Sequence, residues 1–375
     1  MADVSKFVFQ PDNVTVKVRD NTARTNINNE RSARQQADNA LQASISDEVT
    51  ARQAADTAES TARQNADSAL QASINTNTTN ISNLTTLVNN IKNNLHVVTP
   101  EEFNAAGNGT TNDATAVQNA INSGDVIIFN NSYRINSQIT VPKNKILMGK
   151  GTIILGGYIV GLEINDGVVI DGLTFACLSS MSNYDTTGRC IHALEKNNLT
   201  VTNCKFNDIK VGACIWFETC NNIVIEHNKI NKYSFSGIML MNECNYTNIQ
   251  FNNIGDGKYT GAQHRYPITV SGYDDDSGYH SAKFIKCNYN YIHDTTAFWE
   301  GIDSHGCEFA EFIGNYITGT ERGIVLTSPT STSIGNFNRN LIVKNNVIIC
   351  SFQGIDISGD DAVSSRDVEI SNNYI

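Results

Sequence analysis

The sequence lacks any apolar run approaching the roughly 18 residues that a membrane span requires, so we expect no membrane insertion. It also has little charge: 17% of the residues are charged, and the net charge is −11. Nucleic-acid binding relies on clustered Lys and Arg, so this balance argues against it. The first residues show neither the apolar core nor the cleavage site of a signal peptide, and we therefore expect synthesis in a cytoplasm.

Paired C-x-x-C motifs are missing from the nine cysteines, which all lie between Cys177 and Cys350. A cysteine zinc site is therefore not expected, and nothing in the sequence calls for a metal or another cofactor. Cys220, Cys244 and Cys307 each precede a repeated asparagine by eight residues. This spacing predicts one inward column of cysteines that act as small buried hydrophobic residues.

Proline and glycine are absent from residues 27–95, where Ala, Gln, Arg, Asp and Ser dominate. The segment ARQAADTAEST at 51–61 is followed by ARQNADSALQA at 62–72. An 11-residue period is typical of straight or slightly right-handed helical bundles. Residues 1–26, with two short strand-like phrases, are either a disordered leader or, as we favour, an attachment segment that becomes ordered on a partner or within an oligomer.

A heptad pattern follows the 11-residue repeats. One polar residue, Asn77, interrupts its apolar seam, and such a residue usually fixes the register or the oligomeric state. A single helix folded onto the chain would also show this stripe, but its length favours a parallel coiled-coil stalk over 27–95, with a homotrimer favoured over a dimer. The a positions are Ile74, Ile81, Val88 and Leu95, and the d positions are Leu70, Asn77, Leu84 and Ile91.

An asparagine-containing phrase recurs in the second half of the chain, as in IEHNKI at 225–230, FIGNYI at 312–317 and ISNNYI at 370–375. Its asparagines are separated by 24, 38, 25, 30 and 28 residues, and Cys204 occupies the same position 24 residues before the first. A repeat of 20–50 residues indicates a solenoid, a propeller or an array. The asparagines are Asn228, Asn252, Asn290, Asn315, Asn345 and Asn373.

Residues 96–125 join the two patterns. Asn112 or Asp113 is a suitable N-cap for an amphipathic helix, and Gly124 ends that helix. A buried strand over 126–129 follows, and short strands broken by turns continue from there.

The run GNGTTNDATAVQNAIN at 107–122, then YRI at 133–135 and ITVPKNKILMGKGTI at 139–153, resembles the entrance of pectate-lyase-like right-handed parallel β-helices. The resemblance covers residues 97–375. It implies an all-β fold, with a capping helix within 96–125 and a parallel β-helix over 126–375.

A coiled coil before such a β-helix is similar to a phage tailspike, in particular to the pre-neck appendage proteins of small podophages of Gram-positive hosts. This resemblance implies a homotrimeric virion spike, assembled in the host cytoplasm and attached through residues 1–26 to neck, tail or collar proteins. It further implies host attachment and the degradation of cell-wall teichoic acid.

Gly-Ile pairs at 237–238, 301–302, 323–324 and 354–355 set the register of one strand per coil. With each Ile pointing inward, Asp303 and His305 point outward as neighbours, and Trp299-Glu300 lies at the turn before them. Two carboxylates can hydrolyse a glycosidic bond, and a carboxylate with a histidine can act on a phosphodiester. Solvent-facing strands also carry Asp and His without any such role.

Asp356 falls two coils after Asp303, roughly 10 Å away if coils stack at about 4.8 Å, near the roughly 6.5–9.5 Å of an inverting carboxylate pair. We therefore predict Glu300 and Asp303 as the hydrolytic residues, assisted by His305 and Asp356, with Trp299 contacting the substrate.

The step from Asn252 to Asn290 exceeds a 24-residue coil by 14 residues, and long loops on a rigid scaffold often carry binding residues. We predict that Tyr273, Arg265 and His264 contact the substrate, with Arg265 suited to a phosphate or carboxylate. The acidic run at 274–276 lacks the spacing of a calcium loop and is best explained as a solvated turn.

The same patterns leave two alternative functions open and suggest two further points. The chain could be an adhesin that only binds. It could also be a bacterial polysaccharide lyase or surface repeat protein, although the stalk and the absent signal sequence speak against this second alternative. The triplet at 359–361 resembles carboxylate-rich strands of polygalacturonases, but the remaining motifs of those enzymes are not evident. Because the last phrase is a full repeat without a cap, we expect the natural protein to continue past Ile375.

Overall fold

The computed structural model describes residues 21–258, 265–275, 278–293, 298–327, 338–358 and 366–375. The chain divides into two units, Met1–Val88 and Asn89–Ile375. No helix among these described residues is long and apolar enough to cross a membrane.

Helix α1, Asn21–Asn94, covers 74 residues and is therefore about 110 Å long. Ion pairs four residues apart support it, among them Glu48 with Arg52 at 2.6 Å, each worth a few tenths of a kcal/mol. The apolar seam of the heptads is exposed along its length: Ile81 is 66% and Leu84 61% accessible. An apolar stripe of this kind usually faces a partner.

Helix α2, Ala114–Ser123, buries the apolar face that the sequence predicts. At its C-terminus, the N–H of Gly124 donates to the carbonyl of Ala120 at 2.9 Å. Asp113 occupies the N-cap position, but its carboxylate accepts the N–H groups of Ala106 and Gly107 instead of those of the helix. A 3₁₀ helix, Pro100–Phe103, precedes α2.

The remaining elements are short strands. They are β1 Val97–Val98, β2 Asn108–Asn112, β3 Val126–Phe129, β4 Ser132–Ile135, β5 Ile139–Val141, β6 Ile146–Gly149, β7 Thr152–Leu155, β8 Val160–Ile164, β9 Val169–Asp171, β10 Thr174–Cys177, β11 Arg189–Leu194, β12 Asn197–Thr202, β13 Lys205–Asn207, β14 Ala213–Glu218, β15 Asn221–Glu226, β16 Lys229–Tyr233, β17 Ser236–Met241, β18 Asn245–Gln250, β19 Asn253–Gly257, β20 Tyr266–Ser271, β21 Tyr273–Asp275, β22 Gly278–His280, β23 Ala282–Asn288, β24 Tyr291–His293, β25 Phe298–His305, β26 Cys307–Ile313, β27 Tyr316–Thr327, β28 Arg339–Lys344, β29 Val347–Ser358 and β30 Arg366–Ser371.

All of these strands except β21 and β22 stack as a parallel β-helix, as the sequence predicts, while β21 and β22 pair with each other. One parallel sheet of eleven strands runs β1-β3-β6-β9-β12-β15-β18-β23-β26-β28-β30. The second sheet contains two rows of strands. One row runs through β4, β7 and β10 to β24, and the other runs through β5, β8 and β11 to β25. The rows join because the long strands β27 and β29 each continue from one row into the other. We call the row β5-β8-β11-β14-β17-β20-β25, with the second halves of β27 and β29, the site row.

The core of the β-helix is a set of stacked apolar columns. In the site row, Ile268, Ile302 and Ile324 stand opposite one another and are fully buried. Elsewhere, Phe175 and Phe206 stack with their ring centroids 5.0 Å apart. Burying such side chains removes apolar surface from water, which is the main favourable contribution to folding.

A ladder of buried asparagines, hydrogen-bonded from coil to coil, lies at the edge of the core. The Oδ1 of Asn252 accepts the backbone N–H of Asn228 and its side-chain N–H, both at 3.0 Å, while Asn228 Nδ2 also donates to the carbonyl of Val201 at 2.9 Å. The same pattern continues through Asn290 and Asn315. Each buried amide is therefore fully paired, which removes the cost of burying it.

The ladder corrects the sequence-based register at one position. Asn346, and not Asn345, accepts the two N–H groups of Asn315 and donates onward to Asn373. Asn345 instead takes a left-handed conformation at φ 57° in the preceding turn. The actual steps there are 31 and 27 residues. Cys204 begins the ladder, because its N–H donates to Asn228 at 2.9 Å.

The cysteines are free thiols, and all are buried except Cys350, which is partly exposed. Cys220 and Cys244 stack as predicted, with the Cys220 N–H 3.5 Å from the Cys244 sulfur. Cys307 lies further along the same sheet, opposite Ala282.

Replacing Asn290 by Ala should lower the free energy of unfolding by about 2 kcal/mol, because it leaves the N–H groups of Asn252 and the carbonyl of Ile249 buried without partners. Denaturant unfolding measures this. Asn231→Ala, at an exposed position of β16, is the matched control and should change stability little. Equal losses in the two variants would contradict the importance of the ladder.

Candidate functional site

The site row places the predicted residues in register on its outer side. Thr269, Asp303, Val325 and Asp356 stand opposite one another in successive coils, as the Gly-Ile register predicts. Asp303 and Asp356 are therefore two coils apart. One detail of the prediction is wrong: Trp299 and Glu300 do not lie in a turn, because β25 already begins at Phe298.

Asp303 and His305 form the central pair of the site. The Nε2 of His305 lies 3.1 Å from Oδ2 of Asp303, and since a carboxylate can only accept, this nitrogen carries the proton. On the other side of the ring, Nδ1 lies 3.0 Å from the hydroxyl of Thr327. The hydrogen bond to Asp303 raises the pKa of His305, although burial opposes this. The pair thus favours an imidazolium held beside a carboxylate.

The pKa of the Glu300 carboxyl group lies well above its ordinary value. Burial raises its pKa to about 7, and the negative charge of Asp303 adds to this, while His305 and Arg322 act in the opposite direction. The carboxyl group can therefore hold or release a proton near neutral pH, which is what general acid or base catalysis requires.

Arg322, which was not among the residues predicted from the sequence, joins the carboxylates of two coils. Its Nη1 lies 3.2 Å from Oδ2 of Asp356 and 3.7 Å from Oε1 of Glu300. Its guanidinium carbon stands 4.4 Å from the centre of the Trp299 ring, a cation–π contact. A signal was present: ERGI at 321–324 repeats the frame of WEGI at 299–302, which places Arg322 opposite Glu300.

Exposure within the site differs strongly between its members. The column points away from the core, but it is not solvent-facing throughout: Asp303 is 1% and Glu300 5% accessible, and Val325 is fully buried. The side chain of His305, in contrast, is 43% exposed and that of Arg322 21%. Solvent therefore reaches His305 and Arg322 more readily than Asp303 and Glu300.

Of the substrate contacts predicted in the long insertion, only some lie among the described residues. Arg265 directly precedes β20, partly buried. Tyr273 opens the antiparallel hairpin of β21 and β22, but its side chain lies outside the described part of the chain, as do His264 and the triplet 359–361. Their roles as substrate contacts stay predictions. Across the described residues, no group of three His, Cys, Asp or Glu side chains could hold a metal ion.

Glu300 should make stability depend on pH. Its pKa in the folded protein lies above the ordinary 4.5, so its contribution is fully present below pH 4.5 and is lost as the pH rises through about 7. Relative to the parent, Glu300→Gln should therefore gain on the order of 2 kcal/mol at about pH 8 and nothing at about pH 4. Denaturant unfolding at both values measures it.

The control for this experiment is Glu226→Gln, the same replacement on β15 of the other sheet. A pH-independent difference between Glu300→Gln and the parent would show that Glu300 titrates as an ordinary carboxyl group.

No protein-family model matches the chain, and a search of curated proteins also finds no match. Among solved structures, it is similar to a hyperthermoactive exopolygalacturonase of Thermotoga maritima (14% identity, 74% of this chain, 80% of that chain, TM-score 0.54). It is also similar to PfbA, a surface adhesin of Streptococcus pneumoniae (12% identity, 74% of this chain, 78% of that chain, TM-score 0.53). A tailspike protein of Acinetobacter baumannii phage AM24 aligns less well, with 13% identity, coverage of 73% of this chain and 54% of that chain, and a TM-score of 0.41. The first two likenesses establish the parallel β-helix fold, which enzymes and adhesins share.

Proposed function

We propose that the chain is part of a phage tailspike that recognises the host cell surface and hydrolyses an anionic, teichoic acid-like polymer of the cell wall. The observation that carries this proposal is the Asp303–His305 pair at 3.1 Å beside Glu300, whose pKa of about 7 suits proton transfer. The sequence resemblance to tailspikes supplies the biological setting.

The exposure pattern supports an anionic substrate. The accessible members of the site are the imidazole of His305 and the guanidinium of Arg322, whereas Asp303 and Glu300 are almost fully buried. An arriving polymer therefore meets positive charge, despite the net charge of −11 of the whole chain. Guanidinium groups bind phosphate oxygens well because their planar donors match the geometry of two acceptors.

The chemistry that fits this arrangement is general acid–base hydrolysis of a phosphodiester. Water attacks phosphorus and forms the new P–O bond while the bond to the bridging oxygen breaks. The Glu300 carboxylate takes the proton of the attacking water, and the imidazolium of His305 gives its Nδ1 proton to the leaving oxygen in place of Thr327. Asp303 orients the ring and stabilises its charge, and Arg322 faces the phosphate.

A non-enzymatic adhesin is the second candidate function. The low accessibility of Asp303 favours it, since the hydrogen bond between the partly exposed His305 and the buried Asp303 can serve purely to hold the strand surface in shape. In that case His305, Arg322 and Trp299 would bind the polymer without cleaving it.

Glu300→Gln and Asp303→Asn should each lower the rate at which purified protein releases polymer from isolated Gram-positive cell walls, by roughly 10²–10⁴-fold. The controls are Glu226→Gln and Asp367→Asn, the same exchanges on the other sheet, which should act at the parent rate. Release is followed as soluble organic phosphate.

The outcomes separate the two candidates. Parent-rate release by both site variants would refute the assigned residues. Binding of walls by the parent without any release would favour the adhesin.

We also propose that α1 forms a homotrimeric coiled-coil stalk, and that residues 1–26 attach the spike to neck, tail or collar proteins of the virion. The exposed heptad seam supports this, because Ile74, Ile81 and Val88 are 48–66% accessible on the single helix. A partner helix would remove this apolar surface from water.

Replacing both Ile81 and Val88 by Asp should convert a trimer into monomers, since three negative charges would meet in each of two layers of the seam. Sedimentation equilibrium of the full chain measures the mass. The matched control replaces Ser82 and Asn89, one position further along and off the seam, by Asp. A monomeric parent would contradict the proposal.

A further inference from the structure

A second polar cluster lies on the same outer side of the site row, nearer the beginning of the β-helix. His192 stands opposite Glu163 in the preceding coil and opposite Trp216 in the next, and Glu218 follows two residues after Trp216. Four coil steps, through Trp216, Met239 and Thr269, separate His192 from Asp303. At about 4.8 Å per step the two clusters are roughly 19 Å apart.

The histidine of this second cluster is held between two carboxylates. Its Nδ1 lies 2.7 Å from Oε2 of Glu163, and its Nε2 lies 3.3 Å from Oε1 of Glu218. Burial alone would lower the pKa of His192, but the two carboxylates outweigh this and raise it to about 9. At neutral pH the ring is therefore an imidazolium whose two N–H groups are both engaged.

This arrangement is unsuited to hydrolysis. The imidazolium occupies the space between Glu163 and Glu218, where a scissile bond would have to enter. With both nitrogens protonated, His192 can accept no proton, and its hydrogen bond lowers the pKa of Glu218, which keeps that carboxylate ionised. The cluster can present charge and hydrogen-bond acceptors, but one oxygen of each carboxylate is occupied by His192, and the imidazolium cannot act as a general base.

The cluster is well suited to binding. The side chains of Glu163 and Glu218 remain 26% and 27% exposed, so a ligand can reach them in the positions that His192 holds. Asn242 donates to the second oxygen of Glu218 at 3.3 Å. Because these side chains are already ordered, a ligand need not pay the entropy of fixing them.

A cation beside the carboxylates sets the charge of the cluster. The guanidinium carbon of Arg189 stands 3.5 Å from the centre of the Trp216 ring, and its Nη1 is anchored on the carbonyls of Thr186 and Gly188. With His192 and Arg189 positive and the two glutamates negative, the cluster is neutral overall. A cluster with no net charge and many hydrogen-bond acceptors favours the binding of neutral hydroxyl groups over the binding of a phosphate.

We propose that Glu163, His192 and Glu218 form a second binding site for a neutral, hydroxyl-rich unit, a sugar or polyol, of the polymer that the proposed hydrolytic site cleaves. This inference rests on the proposed function. A chain long enough to span the roughly 19 Å between the clusters would be held at both, whereas a short fragment would engage only one. The second contact raises affinity because it is intramolecular once the first has formed.

The test compares the full chain with its Glu163→Gln and Glu218→Gln variants on long and short fragments of purified wall teichoic acid. For long fragments we expect each variant to raise KM about tenfold without lowering kcat, and for short fragments no change in KM. Glu226→Gln, on the other sheet, is the matched control and should leave both constants at the parent values. If the parent binds without cleaving, Kd replaces KM in the same comparison.

Two results would overturn the inference, and they are distinguishable. A parent that cleaves or binds long fragments, with variants that match it in KM or Kd but melt at a lower temperature, would show that the cluster only stabilises the fold. A parent that neither binds nor cleaves would refute the proposed function and this inference together.

Discussion

The structure depends on coils that cannot slip against one another, and the buried amide ladder provides this constraint. An asparagine side chain has two donors and an acceptor with two lone pairs, which suffices to bond the coil before it and the coil after it. From Asn228 to Asn346 every asparagine of the ladder uses this capacity. A shift by one residue would leave several buried N–H groups unpaired and would turn each outward side chain of the strand inward.

This fixed register is what assembles the candidate site. Glu300, Arg322 and Asp356 belong to three different coils, yet they meet because their strands are tied in the same frame. The coil that contains the long insertion shows that the ladder tolerates extra residues. The step from Asn252 to Asn290 is 38 residues, yet the backbone N–H of Asn252 still donates to the side chain of Asn290 at 3.1 Å. Extra chain is accommodated outside the ladder, where it does not disturb the stacked strands.

Prediction from sequence succeeded where the signal was local and periodic. The Gly-Ile pairs placed Asp303 and His305 correctly on one outer side, and the amphipathic pattern located α2. It was wrong at Asn345 because two adjacent asparagines fit the same phrase, and only the pairing of Asn346 with Asn315 distinguishes them. The cluster at Glu163, His192 and Glu218 was missed because Cys replaces Gly in Cys190-Ile191 and Cys214-Ile215; admitting that exchange extends the frame to His192 and Trp216.

The sequence by itself determined the period of the coils, the inward and outward sides of their strands and the apolar seam of α1, since all of these follow from the spacing of residues along the chain. Only the tertiary structure decided that Asp303 is buried and His305 exposed, that Glu300 has a pKa of about 7 and that Arg322 reaches Asp356. Burial and local electrostatics are set by neighbours from other coils, so a pattern within one repeat contains no information about them.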